Sequence, residues 1–473
     1  MHGMQAEGLV IHLTRSKDPV EIMAASRALA GLGANAASVA PILQNQLNEG
    51  DAQHAGAAAF VLAELGAAAI AVSPGLIDSY RRQLSSPFTV VRHWITAALT
   101  RVGPRAVEAF EELTKALEDP DAGVRSNAAY ALAEVGDAAK PALPVLMECA
   151  QEASIDVRTA ALYAVSRIAP HDGDVRAVLT GALSDESYQV RAQAAESLGA
   201  LGPAAAPAVT ALQRRIADPR PEVRLRVLDA LARILAPGES LAMELAKSLV
   251  DPDAGVRLTA VKALGKQGEM ASAAAPRLLA VLRDSNEAIR YQALTVLETL
   301  APHCADIAPA ITIAVNHCLR DRSPRVQVRA TAALARLTGQ VEHPDPKILR
   351  SLKHPDWGVR LASVEALGHI RGDNRDVADA LRKAIHDTDP NVRVAACGAL
   401  LRFGTSPKAV LPVLFDALSE EGAAVQLAAI RILASLGPEA RPALLALQIK
   451  TGDSNPDVRA ASRNAIARIE ATG

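Results

Sequence analysis

The chain has 473 residues, of which 50% are hydrophobic but only 3% aromatic, and it carries 50 Lys and Arg against 52 Asp and Glu. So much apolar content excludes a disordered chain, and a net charge of −2 disfavours a nucleic-acid binder. No apolar run approaches the roughly 20 residues that span a membrane, so we predict no membrane segment.

Cysteine usage and the N-terminal sequence bear on the compartment. The four cysteines, Cys149, Cys304, Cys318 and Cys397, do not make a disulfide framework in a chain of this length. The N-terminal sequence MHGMQAEGLVIHLTRS lacks the basic and long apolar regions of a secretory signal. We therefore expect a reduced, cytoplasmic protein, although a leader upstream of this chain would make it periplasmic.

An internal repeat dominates the sequence. The motif Asp-x-x-Val-Arg recurs with a period of 33 residues, and we call the slot of its arginine position zero. Two steps, from Ala55 to Arg92 and from Arg290 to Gln327, are 37 residues long. Fourteen units cover nearly the whole chain, centred on Ile22, Ala55, Arg92, Arg125, Arg158, Arg191, Arg224, Arg257, Arg290, Gln327, Arg360, Arg393, Gln426 and Arg459.

Each unit carries the signals of one amphipathic helix, which we call the B helix. All fourteen residues at position +7 are aliphatic, and positions −1, +3 and +10 lie on the same helical face. Eleven units have Asp, Ser or Asn at position −4, as at Asp121 and Asp389, where such side chains cap free N–H groups. Glycine at or near position +11, as at Gly136 and Gly202, marks the helix end.

The other half of each unit predicts a second helix, the A helix. Its signature is a proline followed by aliphatic residues, as in Pro144-Val145-Leu146. One helix pair cannot bury its apolar face, whereas stacked pairs form a continuous core. We therefore predict a single all-α domain over residues 1–473, an α-solenoid of about 14 stacked helix-turn-helix repeats. The four extra residues of each 37-residue step are expected in loops or at A-helix ends.

The repeat resembles a known family. The segment DPDAGVRSNAAYALAEVG at residues 119–136 and its equivalents look like the HEAT repeat, of the short bacterial type found in bilin lyases and in arrays appended to some sulfatases. The resemblance covers about residues 8–470. It implies HEAT-like repeats in a right-handed superhelix, with the B helices on the concave surface. Ankyrin shares the period of 33, but its Thr-Pro-Leu-His motif is absent.

Acidic and arginine side chains repeat together. A ladder of opposite charges links position −6 to position zero and includes Asp119, Arg125, Asp185, Arg191, Asp251 and Arg257. We interpret the ladder as structural, bonding turns within and between units, because arginine offers a rigid fork of donors. The alternative interpretation is a charged strip that binds a ligand.

A second row of cations occupies position +9, in the last turn of the B helices. It contains Arg101, Arg167, Arg233, Lys266, Arg336 and Arg402. On a concave surface this row would form a basic rail for an acidic segment or phosphates. Alternatively, each cation interacts with the helix dipole and the free carbonyls of the last turn.

Three aromatic residues stand out because aromatic residues are scarce. Trp94 at position +2 and Tyr130 and Tyr163 at position +5 fall on exposed positions of three consecutive B helices. Such side chains anchor interfaces, and together with the cations at +9 they form our candidate partner-binding face. Alternatively, they only pack against a neighbouring helix.

Catalytic and cofactor signatures are missing from the sequence. It has no H-E-x-x-H, G-x-S-x-G, P-loop or strand-borne G-x-G-x-x-G motif, and no cysteine has the surroundings of a sulfatase nucleophile. The pairs His303-Cys304 and His317-Cys318 do not offer four converging zinc ligands. We therefore predict no catalytic, cofactor-binding or metal-binding residues.

The sequence as a whole predicts a non-catalytic scaffold, expected to be a monomer, that binds a protein or an extended peptide on its concave surface. Two alternatives stay open. One is an accessory array of a larger enzyme, such as a sulfatase fusion, and the other is a chromophore handler similar to bilin lyases.

Overall fold

The structure is a computed structural model that describes residues 2–234, 241–338, 346–368, 374–453 and 455–470. Its contacts divide the chain into two compact units, Met1–Glu239 and Ser240–Gly473. The first unit contains α1 (His2–Arg15), α2 (Pro19–Gly31), α3 (Ala40–Glu49), α4 (Ala52–Leu65), α5 (Ala67–Val72), α6 (Leu76–Gln83), α7 (Thr89–Val102), α8 (Phe110–Ala116), α9 (Ala122–Val135), α10 (Leu143–Cys149), α11 (Ile155–Ile168), α12 (Gly173–Ala182), α13 (Tyr188–Leu201), α14 (Val209–Arg215) and α15 (Pro221–Ile234).

The second unit is built in the same way. It contains α16 (Ala242–Leu245), α17 (Ala254–Lys266), α18 (Ala275–Val281), α19 (Glu287–Leu300), α20 (Ala308–His317), α21 (Pro324–Leu337), α22 (Pro346–Ser351), α23 (Trp357–Leu367), α24 (Arg375–Ala384), α25 (Pro390–Arg402), α26 (Leu411–Leu418), α27 (Ala423–Leu436), α28 (Leu444–Lys450) and α29 (Pro456–Glu470). Over the described ranges of both units, every regular element is a helix, and none of these helices has the length and apolar character needed to cross a membrane.

The B helices keep the register that the sequence indicates. Fourteen helices of the described chain, from α2 to α29, each begin three residues before a position-zero residue. In most of them the N-cap side chain accepts from a backbone N–H of the first turn, as where Asp121 Oδ1 accepts from the N–H of Val124 at 3.0 Å. Because these N–H groups have no partner inside the helix, the capping residues fix where the B helices begin.

Seven-residue 3₁₀ helices join many B helices to the next A helix, a feature that the sequence analysis did not predict. The one between α9 and α10 begins at Gly136, which takes a left-handed conformation with φ 72°. Because a 3₁₀ helix has three residues per turn, its fourth and seventh residues, Ala139 and Ala142, share one face, and both are fully buried. The other such segments are Gly33–Val39, Gly103–Ala109, Gly202–Ala208, Gly268–Ala274 and Gly437–Ala443.

The core of each unit lies between its A and B helices. In α13, positions −1, +3 and +7 are Val190, Ala194 and Leu198, and each has 0% exposure. Neighbouring B helices approach closely through small residues, since a Cβ built on Gly199 would lie 2.9 Å from Cα of Ala230. Neighbouring A helices contact each other less. The B helices therefore make most of the contacts between neighbouring repeats within each unit.

The two 37-residue steps are accommodated outside the B helices. In the first step, α5 and a turn at residues 73–75 replace the seven-residue 3₁₀ segment. In the second step, two short 3₁₀ helices, Ala301–His303 and Ala305–Ile307, precede α20, which is extended to ten residues. The extra residues thus lie in the connections and A helices, where the sequence indicated them.

Candidate functional site

The charge ladder joins consecutive repeats. Arg191 is typical, because its Nε and Nη2 donate to Oδ2 and Oδ1 of Asp218 at 2.8 and 2.9 Å, while its Nη1 donates to the carbonyl oxygen of Asp185 at 2.9 Å. The carboxylate belongs to the next repeat, whereas the carbonyl belongs to the repeat of the arginine itself. Each such arginine therefore ties the turn before its own B helix to the turn before the next one.

The other predicted ladder residues take part in the same pattern. Bridging pairs include Arg92–Asp119, Arg125–Glu152, Arg158–Asp185 and Arg257–Asp284. The position −6 acids also order their own turn, as where Asp251 Oδ1 accepts from the N–H of Asp253 at 2.9 Å. An arginine of the ladder thus pairs with the acid of the following repeat and with backbone carbonyls of its own repeat.

The ladder carboxylates are held in the ionised form. Burial by itself would raise the pKa of Asp218, but the hydrogen bonds from Arg191 and from the backbone N–H of Arg220, with the charge of Arg191, lower it below its usual value. The same balance lowers the pKa of Asp119, Asp284, Asp321 and Asp387. Since these side chains bond to each other, we interpret the ladder as structural.

The exposed side of the B helices is a different surface. We call it the B-helix face and define it by positions −2, +2, +5 and +9, which fall on one side of a helix, away from the core positions. All nine predicted partner-binding residues, the three aromatic residues and the six cations, occupy these positions.

An apolar recess opens on the B-helix face of the first unit, between α2, α4 and α7. Its volume is about 450 Å³, and its lining includes Met23, Gly56, Phe60, Val90 and Trp94. The rings of Phe60 and Trp94 meet edge to face with centroids 4.8 Å apart. Met23 and Val90 are 47% and 45% exposed. Trp94 is therefore both a packed wall of the recess and part of an accessible apolar surface.

Phe60 is a functional candidate that the sequence analysis missed. It occupies position +5 of its repeat, the same slot as Tyr130 and Tyr163. A comparison of this slot along the repeats would have found it. With Phe60 included, aromatic side chains occur on four consecutive B helices, α4, α7, α9 and α11.

Tyr130 and Tyr163 form the second aromatic group on the B-helix face of the first unit. Their rings are tilted, with centroids 5.5 Å apart, and both residues are half-buried. Arg167 lies with its guanidinium carbon 5.5 Å from the centre of the Tyr163 ring. Burial raises the pKa of Tyr130. The two tyrosines thus pack on each other across adjacent repeats, and both stay partly exposed.

In the first unit, acidic neighbours pair with the position +9 arginines. Arg101 Nη1 lies 2.7 Å from Glu64 Oε2 and donates to the carbonyl oxygen of Ala63 at 3.1 Å. Arg233 pairs with Asp229 at 2.8 Å within α15. Arg167 lies 3.7 Å from Glu134. Arg101 thus reaches the carbonyls at the end of the preceding B helix, not those of its own helix.

The position +9 cations of the second unit are also exposed at the ends of their helices. Arg336 Nη1 lies 2.8 Å from Oε1 of the buried Glu298. Arg402 Nε donates to the carbonyl oxygen of Gly368, at the end of the preceding B helix, at 2.9 Å. Lys266 ends α17.

Potential metal ligands and nucleophiles do not converge in the described part of the chain. There, no three His, Cys, Asp or Glu side chains form a group that could hold a metal ion. All four cysteines are free and buried. Burial raises the pKa of Cys149 and Cys318 to about 11, which leaves them as unreactive thiols at neutral pH.

Helix pairs that repeat at a fixed period, joined by the same contacts from repeat to repeat, define an α-solenoid. The family model for HEAT repeats matches residues 77–166, 209–298, 311–384 and 346–421, and a model for the single HEAT repeat matches residues 175–205. These matches cover more than half of the chain, which therefore belongs to the HEAT repeat family. Among curated proteins, none matches the chain significantly.

Solved structures share this fold. Importin beta, crystallised in ammonium sulfate, matches with a TM-score of 0.54 and 15% identity over 98% of this chain and 72% of its own. Yeast importin-beta, Kap95p, matches with a TM-score of 0.52 and 14% identity over 96% of this chain and 69% of its own. Kap121p matches with a TM-score of 0.51 and 13% identity over 99% of this chain and 62% of its own. At these identities the likeness concerns the fold alone.

Proposed function

We propose that the protein is a non-catalytic scaffold that binds another protein or an extended peptide on its B-helix face. The observation that carries this proposal is the apolar recess walled by Phe60 and Trp94. Large aromatic side chains in a partly desolvated recess are the usual anchors of protein interfaces. A recess of about 450 Å³ has the size of a small ligand site and accepts one or two bulky side chains of a partner.

The residues around the recess extend this apolar surface. Val20, Met23 and Val90 are 73%, 47% and 45% exposed, and all three lie on α2 and α7. Contiguous exposed apolar side chains on a folded protein mark an interaction surface. The surface therefore fits a partner segment that inserts apolar side chains and covers its surroundings.

A neighbour with the same fold offers a further argument for a protein ligand, since Kap95p binds RanGDP. We extend to this chain only the class of ligand, a protein.

Selection from a displayed peptide library against the full chain tests the proposal. We expect selected peptides to carry a bulky apolar residue and to lose binding by about tenfold or more with Trp94→Ala, the loss typical of an interface anchor. Trp357→Ala is the matched control, because Trp357 is the second tryptophan of the chain, is 45% exposed and lies at the start of α23, outside the B-helix face. Met23→Asp adds a charge at the recess without removing a core side chain, and it should weaken binding as well.

Thermal melts of the three variants separate lost binding from lost folding. The proposal fails if no peptide or protein ligand is selected. It also fails if folded Trp94→Ala and Met23→Asp variants bind the selected peptides as tightly as the unaltered protein does.

A further inference from the structure

Cations are concentrated at the C-terminal ends of the A helices in the second unit. Positions −10 and −7 are three residues apart, so they lie on one side of the last turn of the A helix and of the residues that follow it. In five consecutive repeats, from that of Arg257 to that of Arg393, neither position carries an acid. We call these ten residues the A-end strip. Its lysines and arginines are Lys247, Arg283, Arg320, Arg350, Lys353 and Lys383, and its other members are Val250, Ala280, His317 and His386.

The charges of the A-end strip face solvent and are mostly unpaired. All ten residues of the strip are exposed. Among its lysines and arginines, only Lys247 forms an ion pair within the described ranges, with Glu244 at 2.5 Å. Arg350 Nε donates to a backbone carbonyl oxygen, that of Pro346, at 3.3 Å. The four repeats from that of Arg290 to that of Arg393 therefore each present at least one cation that no carboxylate neutralises.

The acids that lie next to the strip in the chain already have partners. Asp284 accepts from Nε and Nη2 of Arg257 at 2.7 and 3.1 Å. Asp321 accepts from Nε and Nη2 of Arg290 at 2.8 and 2.7 Å. Because the charges of these carboxylates are matched by the ladder arginines, the cations of the A-end strip are in excess.

The A helices do not need these cations in order to form. A cation near the C-terminus of a helix gains a little free energy from the helix dipole. The same two positions in the last two repeats carry Asp416 and Ser419, then Ile449 and Gly452, and the helices α26 and α28 form there all the same. The strip is therefore a feature of five particular repeats and not a general requirement of the fold.

Two recesses open along the A-end strip. The first has a volume of about 560 Å³, lies between the segment Ala246–Val250 and α18, and is lined in part by Lys247, Val250 and Arg283. The second has a volume of about 450 Å³, lies between α18 and α20, and is lined in part by Arg283 and His317. Val250 is 85% exposed. Each recess thus combines cations with accessible apolar surface, and Arg283 lines both.

We propose that the A-end strip binds a segment of a partner protein in which acidic residues are interspersed with apolar ones. Arg283 and Arg320 would pair with carboxylates of the segment, since guanidinium–carboxylate pairs are strong and directional. The recesses on either side of Arg283 would take its apolar side chains. The strip lies outside the B-helix face, so this inference goes beyond the proposed function and assigns a second docking surface to the second unit.

Two observations favour an acidic peptide over a nucleic acid. The apolar walls of the recesses gain free energy by burying apolar side chains, which a row of phosphates does not supply. Single-stranded nucleic acids are held by bases that stack on aromatic rings, and none of the ten strip residues is Phe, Tyr or Trp.

The test uses the full chain and a fluorescent peptide of about twelve residues composed of Asp, Leu and Ser, which in extended form crosses about four repeats. We expect binding that weakens as salt is added, because exposed charges are screened. It should fall about tenfold or more in the triple variant Arg283→Ser, Arg320→Ser and Lys353→Ser. Serine occupies position −7 in other repeats, at Ser85, Ser184 and Ser419, so this variant should fold.

A matched control removes the same charges elsewhere in the second unit. Arg375, Lys408 and Arg441 are exposed and occupy position −18 in three consecutive repeats, at the other end of the A helices. Their replacement by serine should change binding by less than about twofold. Val250→Asp adds a negative charge in the first recess without removing a core side chain, so it should weaken binding as well.

The other outcomes overturn the proposal. Equal losses in both triple variants, with thermal melts showing both folded, would mean that net charge alone attracts the peptide. Loss of binding with Trp94→Ala would place the peptide on the B-helix face instead. Binding of a single-stranded oligonucleotide but not of the acidic peptide would assign the strip to nucleic acid. If neither probe binds while the Trp94-dependent peptides still do, the inference fails and the proposed scaffold function stands.

Discussion

The hydroxyl of Tyr291 in α19 donates a hydrogen bond of 2.5 Å to Oε2 of Glu365 in α23. The two residues are 74 positions apart, and the B helix α21 lies between their helices in the chain, so the bond spans two repeats. Ladder contacts such as that of Arg191 with Asp218 join only neighbouring repeats. The tyrosine bond therefore restrains the distance between repeats that are not adjacent in sequence.

Removal of this hydroxyl tests the restraint. We expect Tyr291→Phe to lower the free energy of unfolding by about 1.5–3 kcal/mol, the range for a hydrogen bond to a charged acceptor, as measured by urea denaturation. Tyr130→Phe is the control, since its half-buried ring makes no side-chain hydrogen bond that the structure shows, and it should change stability by less than about 0.5 kcal/mol. Equal effects of the two variants would argue against the restraint.

The ladder makes a prediction about a buried ion pair. Asp218→Ala leaves the guanidinium of Arg191 without its carboxylate, and both side chains are at least 90% buried. We expect a loss of about 3–5 kcal/mol in unfolding free energy, because an uncompensated charge stays buried. Asp379→Ala removes an exposed pair with Arg382 and should cost at most about 1 kcal/mol. A small loss at Asp218 would show that the ladder contributes little to stability.

The same carboxylate predicts how stability depends on pH. The pKa of Asp218 is lowered in the folded protein, so its stabilising contribution is present above the pKa of about 3.9 that Asp has in an unfolded chain. The contribution is lost as the pH falls through the lowered folded value. We therefore expect the difference in Tm between the unaltered protein and Asp218→Asn to shrink as the pH is lowered below about 4. A difference that stays constant into strong acid would contradict the assignment.

Much of this architecture could be read from the sequence because the repeat averages out local ambiguity. A cap at Asp121 or an aliphatic residue at Leu132 is a weak signal alone, but fourteen copies in one register fix the start of each B helix. The hydrogen-bond and ion-pair partners of individual side chains could be predicted less well from the sequence. That Arg125 pairs with Glu152 of the next repeat depends on how the repeats stack, and the sequence of a single repeat does not encode this stacking.

The candidate site could likewise be predicted from the sequence only in part. Sequence reasoning found Trp94 because tryptophan is rare, and it missed Phe60 because phenylalanine on a helix usually belongs to a core. It also treated the position +9 cations as one rail along the whole chain. Their neutralisation by Glu64, Glu134 and Asp229 depends on contacts that only the structure shows.

The substitution Gly→Ala should have opposite effects on stability at two glycines, because only one of them lies where two B helices pack closely. Gly181→Ala in α12 meets nothing within 4 Å, so it should stabilise the protein by up to about 1 kcal/mol through reduced backbone entropy. Gly199→Ala places a Cβ 2.9 Å from Cα of Ala230 and should destabilise by about 1–3 kcal/mol through overpacking. Thermal melts of the two variants check the signs, and stabilisation by Gly199→Ala would refute the close approach.

Replacing a large core side chain by a small one should lower stability and should loosen mainly the neighbouring helix. Leu264 has 0% exposure, so Leu264→Ala should cost about 2–5 kcal/mol and should speed amide hydrogen exchange in the adjacent helix α19. Leu445 is 72% exposed, and Leu445→Ala should stay within about 0.5 kcal/mol of the unaltered protein. An unchanged melt of Leu264→Ala would mean that the assigned register of α17 is wrong.

Each ladder arginine pairs with a carboxylate of the following repeat, and this pairing affects how genes for such arrays can change in length. Deletion of one period, residues 159–191, would leave Arg158 as far along the chain from Asp218 as it now is from Asp185. The new junction would recreate the old bond, so recombination between copies can shorten or lengthen the array without new compensating mutations. Arrays of very different length can therefore descend from one ancestor, provided that whole periods are exchanged.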